Sequence, residues 1–318
     1  MVPGMLSLSN TSTMTQPELL VTILINNYNY SRFLRQAIDS ALDQTYTNIE
    51  VLVVDDGSTD ESRNVIYSYG DRVRAVFKEN GGQASTFNAG VAASRGEIIC
   101  MLDADDFFHS DKVERVIRYI QPGSMLYHQL RLQPGVGLIP SAIAPNIDYY
   151  LRARRSGFVP YLASPTSGLV FCRDLALRLI PLPTEHVRYS ADDFIVRGAA
   201  LLGKIIGIPE VLATYRVHGE NGWYGRKIQK SPKFMAELEG YLNRKLVQAG
   251  KKPVIDFYHS PAAIDYIPQH FADIVRLALS VFSRRVNLIT VKFMLYAFLR
   301  AFACVMSPSV SGTPDRSN

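Results

Sequence analysis

The chain has 318 residues, 47% of them hydrophobic and 20% charged, with a formal net charge of +5. That length suits one large domain with an appendage, and that composition excludes wholesale disorder. The mildly basic balance fits nucleic acid, anionic lipid or a phosphorylated ligand without choosing among them, and three dispersed cysteines, Cys100, Cys172 and Cys304, argue for reduced thiols in a cytosolic protein over a disulfide framework or a zinc site.

Residues 1–18 are rich in Ser, Thr and Met, with no basic segment or continuous apolar stretch. They read as a flexible lead-in, not a signal peptide. An apolar run over 21–26 predicts a buried strand. Ser31 is then placed to cap a helix with the stripe Phe33, Leu34, Ala37, Ile38, Ala41 and Leu42. A second strand over 50–54 ends at Asp55-Asp56-Gly57-Ser58, and a helix follows over 61–69. A third strand is expected over 73–77. Asn80-Gly81-Gly82 breaks the chain before a helix over 83–94. A fourth strand over 97–102 runs into Asp103-Ala104-Asp105-Asp106, and Asp111 opens a helix carrying Val113, Val116, Ile117 and Ile120.

This alternation predicts an α/β fold, a mostly parallel sheet with helices on both faces. Ligands of such sheets lie beyond the carboxyl ends of the strands, so the polar motifs after strands one, two and four share one rim. From 121 to 164, Pro122, Pro134, Pro140, Pro145 and Pro160 interrupt the periodicity; loops and short helices are expected there. A helix over 190–202 and a strand over 211–217 follow, then helices alone after Trp223.

Three motifs carry chemistry, each with a plainer alternative. Asp103 and Asp105 can bind a hard divalent cation, Mg²⁺ or Mn²⁺, that bridges to phosphates; the alternative is an acidic turn before the helix at Asp111. Asn27-Tyr28-Asn29-Tyr30 can stack an aromatic ring on a base, or simply pack two tyrosines against a helix. Asp55 to Asp60 offers carboxylates that accept from a uracil-like N–H or a ribose hydroxyl, or a turn in which Ser58 or Thr59 caps a helix.

Taken together, Val21-Thr22-Ile23-Leu24-Ile25-Asn26-Asn27-Tyr28-Asn29, Ala41-Leu42-Asp43-Gln44-Thr45-Tyr46, Val53-Val54-Asp55-Asp56-Gly57-Ser58-Thr59-Asp60, Glu79-Asn80-Gly81-Gly82, Asn88-Ala89-Gly90 and Leu102-Asp103-Ala104-Asp105-Asp106 resemble family 2 glycosyltransferases of the GT-A fold. Order and spacing match over about 21–108. The resemblance implies a donor site in which Tyr28 lies on the base beside Asn27, and Asp56 hydrogen-bonds the base. Asn80, Gly81 and Gly82 would line the donor cleft. Asp105 would be the direct metal ligand and Asp103 a ribose or metal contact. Ala191-Asp192-Asp193-Phe194 with Arg197 resembles the second acidic motif, which supplies the base of an inverting transfer. It has Asp-Asp where the family often has Glu-Asp, and a shorter gap to the arginine. That departure leaves the base open between Asp192 and Asp193, with Asp193 favoured; a plainer reading has both complementing the helix dipole. Tyr215 to Asn221 also resembles the family, which implies His218 as a further metal ligand or diphosphate contact. Gly222-Trp223-Tyr224 reads as a lid. Pro165-Thr166-Ser167-Gly168 lies where acceptor contacts are built, or is only a turn leading into a strand.

The resulting division is a lead-in over 1–18, a catalytic domain over 19–225 with a donor half to about 120 and an acceptor half from 121, and a helical extension over 226–318. In the extension, Arg285, Lys292, Tyr296 and Arg300 fall on one face of an otherwise apolar helix. That pattern suits peripheral membrane contact through 284–306, with docking on the domain or homodimerisation as the alternatives. The expectation is a hexosyltransferase-type enzyme in the cytoplasm, or at the inner face of the cell membrane, using Mn²⁺ or Mg²⁺. It would move sugar from a nucleotide-sugar, a UDP-sugar foremost, to a saccharide or lipid-linked acceptor in polysaccharide biosynthesis, with no nucleic-acid partner. A non-catalytic sugar-nucleotide-binding module and a sugar-phosphate nucleotidyltransferase are the alternatives. The latter would want a Gly-rich, basic loop after strand one, where this chain has Asn27-Tyr28-Asn29-Tyr30.

Overall fold

The computed structural model describes residues 19–185, 187–221 and 232–256. The lead-in, the lid at 222–224, the helix at 284–306 and Cys304 lie outside them.

The first half of the described chain is built as the sequence dictates. β1 (Val21–Asn27), β2 (Ile49–Asp55), β3 (Arg74–Phe77) and β4 (Ile98–Asp103) alternate with α1 (Ser31–Leu42), α2 (Ser62–Tyr67) and α3 (Gln83–Ala93). The strands stand in the order β3-β2-β1-β4, all parallel. β1 and β4 are apolar on both faces because helices cover both. Leu34, Ala37, Ile38 and Ala41 form the buried stripe of α1. Ser31 does not cap this helix; Tyr30 precedes it without a side-chain cap. Instead Asp60 reaches across from the next loop, its Oδ2 accepting from Ser31 N at 2.8 Å and its Oδ1 from Ser62 N at 2.9 Å. One carboxylate thus serves the starts of both α1 and α2, and neither Ser58 nor Thr59 is needed as a cap.

The second half, from β5 onward, mixes strand directions. It comprises β5 (Phe107–Phe108), α4 (Lys112–Ile117), β6 (Ser124–Gln133), β7 (Leu138–Ile139), α5 (Tyr149–Ser156), β8 (Leu169–Cys172), α6 (Arg173–Leu179), α7 (Ala191–Leu202), β9 (Lys204–Arg216) and α8 (Pro232–Gln248). Among the described residues the sheet runs β3-β2-β1-β4-β8-β6-β9-β5, with β7 on β6. β8 is antiparallel to β4 and β6, while β6 and β9 are parallel. The segment expected to be loops and short helices therefore contains β6, a long interior strand. Pro122 and Pro134 flank it and do not interrupt it. Its side chains from Ser124 to Leu130 are buried on both faces, so no alternation marks it. β9 begins at Lys204, earlier than expected, because Gly207 and Pro209 obscure its first half. α4 ends at Ile117, short of Ile120.

One core lies on each face of the sheet. Leu24, Leu52, Phe87, Phe194 and Leu242 belong to one; Ile23, Val53, Ile38, Val113 and Leu126 belong to the other. α8 joins the first. Tyr241 donates to Leu179 O at 2.6 Å, Lys245 to Ile180 O at 2.8 Å, and the Tyr241 ring meets Phe194 edge-on at 5.4 Å. α8 is thus welded to α6 and α7. Cys100 and Cys172 are free and buried. Among the described residues, no helix is long and apolar enough to cross a membrane.

Candidate active site

The rim is assembled from the turns that leave β1, β2 and β4. Asn27 is buried, its Nδ2 donating to Asp55 Oδ2 at 2.8 Å and Ser58 Oγ at 3.1 Å. Asn29 adopts φ 56° and takes the Thr59 N–H on its Oδ1 at 2.7 Å; asparagine tolerates that left-handed backbone by such local bonding. The two turns are locked together, and Tyr28 is left presented outward, 45% exposed.

Asp56 organises the next turn. It is buried, lies 2.5 Å from Lys78 Nζ, and accepts from Gly81 N at 3.0 Å and Gly82 N at 2.7 Å. A carboxylate offers about four acceptor positions, so this one folds the 78–82 turn over the cleft and keeps little capacity for another partner. A cavity of about 570 Å³ beside it is lined by Gly57, Arg63, Phe77, Lys78, Glu79 and Asn80. Gly82 sits at φ 81°, and a Cβ there would come within 2.7 Å of Arg188 Cα. Gly82→Ala is accordingly expected to cost roughly 1–3 kcal/mol of stability, because left-handed strain and a backbone clash coincide; urea denaturation measures it. The same turn reaches the segment before α7 through Asn80, whose Oδ1 takes the Arg188 guanidinium. Gln83 ties it further: its N–H donates to Arg188 O at 3.0 Å, and its Oε1 accepts from Ala191 N at 2.9 Å.

At the end of β4, ligand oxygens of Asp103, Asp105 and Asp106 lie within 4.8 Å of one another. Asp103 takes the Asn26 amide on its Oδ1 at 2.5 Å, and its own N–H donates to Ser167 Oγ at 3.0 Å. Burial, then the neighbouring Asp105 charge, push Asp103 up to about 7. Burial and the charges of Asp105 and Asp103 likewise raise Asp106 well above the usual carboxylate range. Asp106 accepts from Ser167 Oγ at 2.6 Å and Arg216 N at 2.9 Å. It pins β9 to the rim, a role the spacing of the motif did not reveal. His218 Nε2 lies 2.9 Å from Asp105 Oδ2, and its ring packs against Phe33 and Tyr30 at 4.9 and 5.8 Å. The structure therefore clusters Asp103 and Asp105 with Asp106, and His218 reaches this cluster through Asp105.

Clustered carboxylates held partly protonated by burial, and then by mutual repulsion, fit a divalent cation, which would relieve that repulsion. The buried Asn26 Oδ1, without a partner, adds an oxygen acceptor beside them. The sign of the pH dependence follows. Asp103 ionises at about 7 in the fold against its ordinary 3.8, so the metal-free fold binds an extra proton between about pH 4 and 7 and loses that contribution to stability as pH rises through 7. A cation competes with the Asp103 proton. Its apparent affinity is expected to fall on the order of tenfold from pH 8 to pH 6, as titration calorimetry of the metal would register.

The second acidic pair starts α7. Ser190, at φ 60°, turns the chain into the helix. Asp193 is buried and takes Arg197 Nε on its Oδ1 at 2.9 Å. Arg197 also donates to Val159 O and lies over the Phe158 ring, 5.4 Å from its centroid. Asp192 is partly exposed, accepts from Tyr161 OH at 2.9 Å, and is near enough to help raise the Asp103 pKa. So the two carboxylates, equivalent in sequence, differ in setting: Asp193 is committed to an ion pair inside the fold, and Asp192 faces the rim. The Pro165 to Gly168 segment braces the carboxylates from below through Ser167, and no signal in the sequence suggested that.

Comparisons with known proteins bear on family and fold. The model of the family described as Glycosyl transferase family 2 matches residues 22–159. An uncharacterized glycosyltransferase of Nostoc sp. is 34% identical over 253 residues, which are 74% of this chain and 78% of that relative. An uncharacterized glycosyltransferase of Rickettsia prowazekii is 45% identical over 101 residues, only 32% of either protein. TarS 1–349 of S. aureus in complex with UDP-GlcNAc superposes with a TM-score of 0.57 and 17% identity, over 90% of this chain and 82% of that one.

Proposed function

The chain belongs to glycosyltransferase family 2 and has the GT-A fold, and from that premise we propose that it moves a sugar from a UDP-sugar to a hydroxyl of a saccharide or lipid-linked acceptor, with inversion. The observation that carries the reading is the meeting on one rim of Asp103, Asp105 and His218 with Asp192. The fold shared with TarS, which binds UDP-GlcNAc, supports uracil as the base.

Tyr28, the Asp56-held turn at 80–82 and the cavity beside it would receive the nucleotide. Asp105, with Asp103 and His218, would hold Mn²⁺ or Mg²⁺. That cation would neutralise the diphosphate leaving group without proton transfer. We assign the base to Asp192 in preference to Asp193, which the motif favoured, because a carboxylate already paired with a buried arginine is a poor proton acceptor. As the acceptor oxygen attacks the anomeric carbon, its proton passes to Asp192 while the bond from sugar to diphosphate breaks. A nucleotidyltransferase is disfavoured, because the loop after β1 carries Asn27 and Tyr28 in place of basic and glycine residues. Peripheral membrane contact through 284–306 and homodimerisation rest on the sequence pattern alone.

The test is calorimetric titration with UDP, GDP and dTDP, with and without Mn²⁺. Metal-dependent binding of UDP is the expected result. Binding of none of the three would overturn the donor site, and preference for another nucleotide would correct the base; binding without any sugar transfer would favour the non-catalytic sugar-nucleotide-binding module.

A further inference from the structure

We propose that Tyr161 is the positioning residue of the catalytic base, holding Asp192 in register with the carboxylates at the end of β4. The inference rests on the reading of Asp192 as the base. Tyr161 lies between α5 and β8, in a stretch without regular structure. Its hydroxyl is 2.9 Å from Asp192 Oδ2 and 2.7 Å from Ser164 O. A phenol has one hydrogen to give, and an ionised carboxylate is a stronger acceptor than a carbonyl. The bond to Asp192 therefore forms when the base is charged, which is the state that must meet the acceptor.

The same short stretch continues into the contacts under the other carboxylates. Pro165 leads into a tight turn over Thr166–Gly168. There Thr166 hydrogen-bonds Asp103, and Ser167 Oγ bonds both Asp103 N and Asp106. One segment thus touches the base at Tyr161 and the donor carboxylates at Thr166 and Ser167. It works as a strap that sets the spacing between the two halves of the reaction. Errors of about an ångström in such spacing can cost on the order of 100-fold in rate.

The Asp192 charge is felt by Asp103 of β4 and by Tyr161, and the phenol also feels Arg197 and Asp103. Burial, then the Asp192 charge, push the Tyr161 phenol well above its ordinary range, so it remains a donor through any working pH. Removing that donor withdraws support from the ionised form of Asp192 and raises its pKa.

Tyr161→Phe keeps the ring and its packing. It is expected to lower kcat on the order of tenfold, with the KM for the donor and metal-dependent nucleotide binding unchanged. The acid limb of the kcat/KM profile is expected to move up by about one pH unit. Wild-type kcat and profile, or a loss carried by donor KM with kcat intact, would overturn the proposal. Thermal melting of the variant separates loss of fold from loss of register. Asp192→Asn is run beside it. If Asp192→Asn is inactive and Tyr161→Phe is normal, the positioning role falls and the base stands. If Asp192→Asn keeps wild-type kcat, the base assignment falls and the positioning role with it.

Discussion

Asp105→Asn is expected to lose metal-dependent nucleotide binding and to lower kcat/KM by roughly 10²–10³-fold or more, the range seen when a charge-stabilising group is removed from a transition state. The same variant is expected to melt higher than the wild type without metal. The reason lies in the neighbours: after burial, the Asp105 charge is the next cause of the raised pKa of both Asp103 and Asp106. Neutralising it removes part of the repulsion among these carboxylates, which a bound cation would also relieve. A gain in melting temperature alongside a loss of activity marks a group kept for function at the expense of stability. Undiminished metal-dependent binding would show that the cation sits elsewhere.

Asp192→Asn and Asp193→Asn are expected to fail in different ways. The first should lower kcat by roughly 10²–10⁴-fold, the usual contribution of a general base, while folding normally and binding the nucleotide as before. The second removes half of a buried pair whose side chains are 5% and 8% exposed. It should cost up to about 3–5 kcal/mol of stability by leaving the buried Arg197 charge without its counter-charge, and the fraction that folds should retain much of its kcat. Denaturation curves and kcat measured on both variants decide the matter. Full activity in Asp192→Asn with a dead, well-folded Asp193→Asn would return the base to Asp193.

The two acidic pairs also show where sequence is readable. β1, β2 and β4 are apolar runs that end abruptly in polar turns, so both their burial and their functional ends are visible in one dimension. The pair at 103 and 105 needed only the strand before it to be placed. The pair at 192 and 193 needed the phase of α7, and that phase is set by the left-handed Ser190 and by the tie from Gln83 to Ala191. Neither leaves a local pattern. β6 was hidden for a related reason: burial on both faces of a strand containing His128 and Gln129 leaves neither alternation nor a clean apolar run. Tyr161, Ser167 and Asp106 act through partners at least 31 positions away, which no spacing rule reaches.

The bonds from Gln83 and Asn80 to Arg188 and Ala191 bear on how such a chain can diversify. Donor turn and base helix share backbone contacts, so a change that suits the turn to a new nucleotide or sugar also tilts the carboxylate that serves the acceptor. A chimera that splices one relative's donor half to another's acceptor half breaks this clasp unless the residues at 80–83 and 188–191 travel together. Libraries that randomise either segment alone will be dominated by inactive members, and the productive unit of variation is the pair.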